Sequence, residues 1–309
     1  MVSQNIEHWS GYWSQGNITS LPVGFRDNYD REIKHFWFEQ FKQLPESAVI
    51  LDVCTGNGAI ALLAAEFSDI HQKNFSIIAV DAASIDIAAI KARYPQLEPY
   101  LNQIQFKPST RIEELSFDDD SFDLICSQYG IEYCNLGVVG VKLSKLLKSK
   151  GTVAIVSHTS DARILEVTTN DYKLLEPISF FSRIRKLVRN DASQKELQPL
   201  MKQTFDELDR SLLTKASPML KLLLESCKFV ISAEPTVFMQ NKHRLFDFFQ
   251  ALQNGKARML DLVNVHKMMK DNPVWYKKIE NNGVELIEKG NLIYNNSHTA
   301  GNYFIYRKV

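Results

Sequence analysis

The chain has 309 residues, of which 45% are hydrophobic, and it carries 36 basic and 36 acidic side chains. This length and apolar content allow a substantial core and one large domain or two. The zero formal charge gives no bulk attraction for nucleic acid or an anionic membrane. Because the N-terminus has no basic start before an apolar run, and no stretch is long and apolar enough to span a membrane, we expect a globular protein of the cytoplasm.

Short β-branched runs alternate with longer helix-patterned segments through residues 48–156. Strands are predicted at AVILDVC (48–54), FSIIAVD (75–81), IQFKPS (104–109), FDLICSQ (122–128) and TVAIVSH (152–158). Helices are predicted at GAIALLAAEF (58–67), at SIDIAAIKARY (84–94) with Ser84 as its cap, and at LGVVGVKLSKLLKSKG (136–151). Nearly continuous apolar strands separated by helices indicate a parallel sheet covered on both faces, and therefore a doubly wound α/β domain.

The pattern changes after Ser160. Segments such as 206–227 and 242–269 place apolar residues three and four positions apart, which is the helical period, while 283–296 and 301–309 alternate as two closing strands do. We therefore divide the chain into four parts: an aromatic-rich helical cap (1–44), an α/β core (45–160), a helical insertion over the acceptor (161–282) and closing antiparallel strands (283–309).

The stretch VILDVCTGNG contains two glycines in the turn after the first strand. Gly56 and Gly58 let backbone N–H groups approach a ligand, and Asp81 ends the next strand, where a carboxylate can accept both ribose hydroxyls. A glycine turn without ligand and a nicotinamide dinucleotide site are the alternatives. Asp52 disfavours the dinucleotide, because a carboxylate beside the turn would repel a pyrophosphate. An acid at this position suits a cation such as the ammonium of S-adenosylmethionine.

With three further segments, this stretch resembles the class I S-adenosylmethionine-dependent methyltransferases, specifically those of small molecules, over most of residues 45–158. The segments are VDAA at 80–83, EELSFDDDSFDLICSQYGIEY at 113–133 and LLKSKGTVAIVSH at 146–158. The resemblance implies a Rossmann-like fold with a seven-stranded, mostly parallel sheet closed by a β-hairpin. It also implies S-adenosyl-L-methionine as cofactor, and these binding residues: Tyr12, Asp52, Cys54, Gly56, Gly58, Asp81, Ala82, Arg111, Ile112, Ser127 and Gln128.

Different residues of this binding set are expected at the two ends of the cofactor. Asp52, Gly56 and Gly58 would line the methionine, and Asp81 would bind the ribose. Many relatives place an acid beside the adenine amino group, whereas this chain has Arg111 there. Cys54 stands within the glycine motif and is interpreted as a small packing residue.

Side chains that follow the fourth and fifth strands should face the acceptor, because ligands of open α/β sheets lie at the carboxyl ends of the strands. His158 is the best candidate for a general base, with Tyr129 and Glu132 beside it as catalytic candidates and His8 as a weaker base. The alternative is a hydrogen-bonded structural histidine. SQYG replaces the N/D-P-P-F/Y motif typical of exocyclic-amine methyltransferases, which makes nucleobase amines less favoured acceptors.

The leader segment HWSGYW brings Trp9, Tyr12 and Trp13 before the first strand. Aromatic faces attract a sulfonium, and a subset of small-molecule methyltransferases has a similar leader over the cofactor. The alternative is that these rings cover core surface only.

The remaining features leave several functions open. A basic segment in the insertion contributes Arg183, Arg185, Lys186 and Arg189, which either form a solvated helix face or recognise an anionic acceptor or RNA. We expect a small-molecule acceptor; the alternatives are an RNA or protein methyltransferase, a non-catalytic S-adenosylmethionine-binding protein and, less favoured, an NAD-dependent oxidoreductase. The four cysteines show no C-x-x-C spacing, and two of them stand in apolar strand-like runs, so buried free thiols are expected rather than disulfide bridges or a zinc site. The oligomeric state is open, with a homodimer among the alternatives.

Overall fold

The structure is a computed structural model that describes residues 6–20, 27–160, 163–211, 218–280, 283–296 and 298–309. The chain divides into two compact units. The first consists of Met1–Ala162 with Asn264–Val309, and the second of Arg163–Val263.

The first unit contains a seven-stranded sheet with the order β3-β2-β1-β4-β5-β7-β6. Its strands are β1 Val49–Val53, β2 Ser76–Val80, β3 Ile104–Lys107, β4 Phe122–Gln128, β5 Leu147–Ser157, β6 Val284–Tyr294 and β7 His298–Lys308. Strands β1 to β5 pair in parallel, and β7 pairs antiparallel with both β5 and β6. The predicted doubly wound, mostly parallel sheet with a closing hairpin is confirmed.

The helices follow the same chain order. They are α1 Glu7–Trp13, α2 Arg31–Lys42, α3 Ala59–Ile70, α4 Ile87–Arg93, α5 Glu98–Leu101, α6 Leu136–Leu146, α7 Arg163–Leu175, α8 Phe180–Arg189, α9 Gln194–Ser211, α10 Pro218–Ser232 and α11 Pro235–Asp271. The long helix α11 passes through the boundary between the two units at Val263. Residues 212–217 of the predicted helical segment 206–227 lie outside the described residues.

Two apolar clusters cover the two faces of the sheet. Along β5, Ala154 and Val156 join the cluster formed with α2 and α3, while Val153 and Ile155 join the cluster formed with α6 and the end of α11. This alternation follows from the two-residue period of a strand, and a strand buried on both faces is apolar throughout. The sheet thereby holds the carboxyl ends of β1, β2 and β4 in fixed positions.

Two local predictions are wrong. Asp86, not Ser84, caps α4, because its Oδ1 accepts a hydrogen bond from Ala89 N at 2.9 Å. Strand β5 begins at Leu147, although the sequence predicts helix through residue 151. The apolar residues there also fit a helical period, and pairing with β4 through a register shift between Phe122 and Leu124 decides the outcome.

The second unit is built from helices around its own apolar cluster. Phe180 and Phe249 lie at its centre with ring centroids 5.1 Å apart, and both side chains are fully buried. The four basic side chains of α8 are exposed, whereas Phe180 and Ile184 of the same helix are buried. Within the described ranges, no helix is long and apolar enough to cross a membrane.

Candidate S-adenosylmethionine site

The glycine turn, residues 54–58, joins β1 to α3. Its backbone is left-handed at Cys54 (φ 55°), Gly56 (φ 55°) and Gly58 (φ 88°). Glycine adopts this conformation without a steric cost, but cysteine does not. The turn is fixed by hydrogen bonds from Thr55 N to Val80 O and from Gly58 N to Thr55 O, at 3.1 and 3.0 Å.

Asp52 lies inside the turn and is 1% exposed. Its Oδ2 accepts hydrogen bonds from Thr55 Oγ1 at 2.5 Å and from Ala61 N at 3.1 Å. Burial raises the pKa of Asp52 to about 7, with a smaller contribution from the charge of Asp81. The carboxylate therefore holds the turn against the first residues of α3, and its charge is sensitive to any cation that binds beside it.

Asp81 follows β2 and reaches the same turn. Its Oδ2 accepts from Gly56 N and its Oδ1 from Ala83 N, both at 2.7 Å. Burial raises the pKa of this carboxyl group above its ordinary value. Each carboxylate oxygen can accept a second hydrogen bond, so the group can still bind the two hydroxyls of a ribose while it supports the turn.

The segment expected at the adenine lies along the end of β2. Ser109 N donates to Ala83 O at 3.0 Å, and Thr110 N donates to Asp81 O at 2.8 Å. The next residues are Arg111, which is partly exposed, and Ile112, which is buried among the apolar residues beneath the sheet. The structure thus brings the predicted adenine and ribose residues to one edge.

The leader helix α1 lies on the glycine turn. A Cβ atom built on Gly56 would be 2.4 Å from Cζ2 of Trp13, so the indole ring is in direct contact with the turn. Asn57 Nδ2 donates to Trp13 O at 2.8 Å and to Asn17 O at 2.7 Å, which ties leader and turn together. The predicted residue Tyr12 is buried, and its hydroxyl donates to Thr19 O at 2.8 Å.

Asn57 bonds the leader from within the glycine turn and was not among the residues that the sequence predicted for the site. The signal for Asn57 was its place between the two glycines. Trp13 was already noted in the leader, but its contact with the turn depends on how the leader folds.

The carboxyl end of β4 carries Ser127 and Gln128. Ser127 is 1% exposed, and among the described residues its Oγ has no hydrogen-bond partner. Gln128 Oε1 accepts from the buried Trp37 Nε1 at 2.6 Å. Because a buried polar atom without a partner is costly, the bare hydroxyl of Ser127 indicates that a ligand completes this end of the strand.

Tyr129 is the residue directly after β4, and its backbone is left-handed (φ 53°), which is rare for a bulky side chain. Its hydroxyl donates to Ala300 O at 2.7 Å, and burial raises its pKa well above the ordinary value. The ring lies 4.7 Å from that of His158. These contacts suit a residue that positions His158, and they do not suit a proton donor or acceptor.

Glu132 and His158 form a buried pair. Glu132 Oε1 lies 2.9 Å from His158 N and 2.7 Å from His158 Nδ1. Within the described part of the chain, Glu132 Oε2 has no hydrogen-bond partner. The backbone N–H and the Nδ1 position both face one carboxylate oxygen, so we assign the proton to Nδ1, which leaves Nε2 able to accept a proton.

A comparison with protein families identifies the same part of the chain. A family model described as a methyltransferase domain matches residues 50–151. These residues contain the glycine turn, Asp81, the adenine segment and the end of β4. Residues 50–151 are a class I methyltransferase domain. The domain is of the S-adenosylmethionine-dependent type, with S-adenosylmethionine as its cofactor.

Solved structures similar to the chain are distant. A Galdieria sulphuraria protein described as a sarcosine dimethylglycine methyltransferase is 14% identical, with 98% of this chain and 96% of that one covered and a TM-score of 0.39. YcgJ of Bacillus subtilis is 22% identical (46% and 58% covered, TM-score 0.35). An S-adenosylmethionine-dependent methyltransferase of Mesorhizobium loti is 20% identical (40% and 52% covered, TM-score 0.31).

The chain thus spans little more than half the length of the last two proteins. Comparison with curated protein sequences gives no match.

The methyltransferase domain offers what S-adenosylmethionine requires. Asp81 keeps hydrogen-bonding capacity for the ribose, Ser127 presents a bare buried hydroxyl, and the turn at Gly56 has no side chain between its backbone and the leader. Among the described residues, no cluster of three or more His, Cys, Asp or Glu side chains could hold a metal ion.

Proposed function

We propose that this protein transfers a methyl group from S-adenosylmethionine to a small molecule, with His158 as general base. The observation that carries the proposal is the contact between Asp81 Oδ2 and Gly56 N at 2.7 Å inside the matched methyltransferase domain. This hydrogen bond joins Asp81, the carboxylate expected at the ribose, to the glycine turn expected at the methionine end of the cofactor.

The bound cofactor would supply a methyl group activated on a sulfonium. Asp52 would attract its ammonium, directly or through water, since the carboxylate lies under the turn. Asp81 and Ala82 would bind the ribose, Arg111 and Ile112 the adenine, and Ser127 and Gln128 the central part. Trp13, with Tyr12 behind it, would exclude water from the methionine end.

The pair of Glu132 and His158 supports proton removal from the acceptor. Nε2 of His158 would take the proton, and the resulting imidazolium would lie against the Glu132 carboxylate, 2.7 Å from Nδ1. Tyr129 would hold the imidazole ring from one side. Such a base helps only an acceptor whose reacting atom carries a proton to lose.

Burial at His158 favours a small acceptor. His158 is 8% exposed, and the rings of Tyr129 and Tyr133 lie within 4.7 and 6.1 Å of its own. A macromolecular substrate would have to insert a single group into this enclosed position. The RNA alternative would use the exposed basic side chains of α8 and would give strong, salt-dependent RNA binding.

One experiment tests the reaction. The protein is incubated with S-adenosylmethionine labelled at the methyl group and with a metabolite extract, and the labelled products are identified by mass spectrometry. A labelled small molecule is the expected result. Label in RNA or protein with none in small molecules would refute the acceptor assignment. Calorimetric binding of S-adenosylmethionine without any labelled product would favour the non-catalytic S-adenosylmethionine-binding protein.

Two variants test the base. With the identified acceptor, Glu132→Gln should lower kcat about tenfold because the imidazolium loses its charged partner, which corresponds to about 1.4 kcal/mol of barrier. His158→Gln should lower kcat about a hundredfold, within the usual range for a general base, while cofactor affinity stays the same. Normal turnover of His158→Gln across pH 6–9 would show that His158 is structural.

A further inference from the structure

Cys54 and Cys134 meet at the cofactor site. Their Sγ atoms are 3.7 Å apart, and both side chains are partly exposed. The other two cysteines differ from this pair, because Cys126 and Cys227 are buried, with 1% and 0% of their surface exposed. Cys54 and Cys134 are therefore close to each other and incompletely buried, so the expectation of buried thiols is wrong for this pair.

The two thiols belong to two different segments of the chain. Cys54 begins the glycine turn, and Cys134 directly follows the short 3-10 helix Ile131–Tyr133, which carries Glu132. A bond between their sulfur atoms would join the segment expected to bind the cofactor to the segment that holds His158.

The local packing keeps Cys54 directed toward the second segment. A Cβ atom built on Gly130 would lie 2.3 Å from Cβ of Cys54, so only glycine at 130 leaves room for the cysteine. The left-handed backbone at Cys54 fixes the direction of its side chain. Disulfide sulfur atoms are about 2.05 Å apart, and a sulfur movement of under about 2 Å closes the remaining gap.

We propose that Cys54 and Cys134 are a modification site at which a small-molecule disulfide forms an intramolecular disulfide that inactivates the methyltransferase. Formation of the disulfide depends only on the two thiols. The loss of activity rests on the proposed function, because it assumes that turn and base segment must be free to adopt their reactive arrangement.

The oxidation is a pair of thiol–disulfide exchanges. The Cys134 thiolate attacks one sulfur of the small disulfide, which forms a mixed disulfide and releases one thiolate that takes up a proton. The Cys54 thiolate then attacks Sγ of Cys134, so the Cys54–Cys134 bond forms and the second small thiol leaves. The protein loses two electrons and two protons, and the small disulfide gains both.

The order of attack follows from the environment of Cys54. The hydrogen bond with Cys134, together with burial, raises the pKa of Cys54 well above its ordinary value. Cys54 is therefore a poor first nucleophile, and it reacts once Cys134 carries the mixed disulfide at short range.

The test treats the whole chain with oxidised glutathione, measures the intact mass of the product, and then counts its free thiols by trapping them after denaturation. The expected product is 2 mass units lighter (two hydrogens lost), has two titratable thiols, and yields a peptide crosslink between Cys54 and Cys134. A product with four titratable thiols, or a crosslink to Cys126 or Cys227, would overturn the proposal. These readouts are independent of methyl transfer, so they stand even if the proposed function fails.

Activity provides the second measurement. Oxidation should lower turnover at least tenfold, and dithiothreitol should restore it. Cys134→Ser should keep the basal turnover and lose the sensitivity, whereas Cys227→Ala, the matched control in the second unit, should keep the sensitivity. Equal inactivation of Cys134→Ser, or a crosslinked protein with full turnover, would refute the inactivating role.

Discussion

Gly130→Ala should destabilise the protein by overpacking against Cys54, and adding Cys54→Gly should relieve that effect. In Gly130→Ala, the new Cβ would lie 2.3 Å from Cβ of Cys54, where ordinary contacts begin at 3.4 Å. Something must therefore move by about 1 Å, and overpacking of this kind costs about 1–3 kcal/mol. The φ of −138° at Gly130 adds no left-handed strain.

Cys54→Gly should be close to neutral. It removes a left-handed cysteine, which relieves about 1–2 kcal/mol, but it costs about 0.5–1 kcal/mol of backbone entropy and some apolar contact. In the double variant, the methyl group introduced by Gly130→Ala occupies the space that the Cys54 side chain has left. We expect a coupling free energy of about 1–3 kcal/mol between the two positions.

The assay is urea unfolding of the wild type, both single variants and the double variant, combined with calorimetric S-adenosylmethionine affinity. Gly130→Ala should lower both the urea midpoint and the affinity, and the second change, Cys54→Gly, should restore both. If Gly130→Ala has no effect, or if its effect is the same in the Cys54→Gly background, the packing argument for the glycine turn is refuted.

Three more predictions concern the same site. Gly56→Ala should weaken S-adenosylmethionine binding at least tenfold in calorimetry, because the new Cβ would lie 2.4 Å from the Trp13 ring and the φ of residue 56 is 55°. Unchanged affinity would show that the leader does not pack on the turn. Since burial raises the pKa of Asp52 from 3.8 to about 7, the folded protein binds a proton that the unfolded chain has released, so the free energy of unfolding should fall as pH rises through that window. Asp52→Asn should reduce this fall in urea unfolding at pH 5–8 without removing it, because the pKa of Asp81 is also raised by burial, and an identical pH profile would contradict the assignment. Tyr129→Phe should keep kcat within about threefold and lower the free energy of unfolding by about 1 kcal/mol, because it removes the hydrogen bond that the hydroxyl donates to Ala300 O. A hundredfold loss of kcat would show that Tyr129 is catalytic.

Much of the core could be predicted because local sequence and tertiary structure agree there. Strand and helix periods in residues 48–158 differ clearly, and the acids Asp52 and Asp81 stand at fixed distances from strand ends. Chain order alone therefore indicated which side chains meet at the carboxyl edge of the sheet.

Other features depended on contacts between distant segments. Leu147 joins β5 because β4 offers a partner, although its own sequence also fits a helix. The helical period of α11 is uninterrupted at Val263, so nothing in it marks where one unit ends and the other begins.

The sequence by itself determined the α/β sheet, the glycine turn and the acids beside it, since these follow from the spacing of residues along the chain. Only the tertiary structure decided that Trp13 covers Gly56, that Glu132 holds His158, and that Cys54 fits because residue 130 is glycine. Such contacts join residues separated by up to 76 positions, as between Cys54 and Gly130, and depend on three-dimensional packing that no local period encodes.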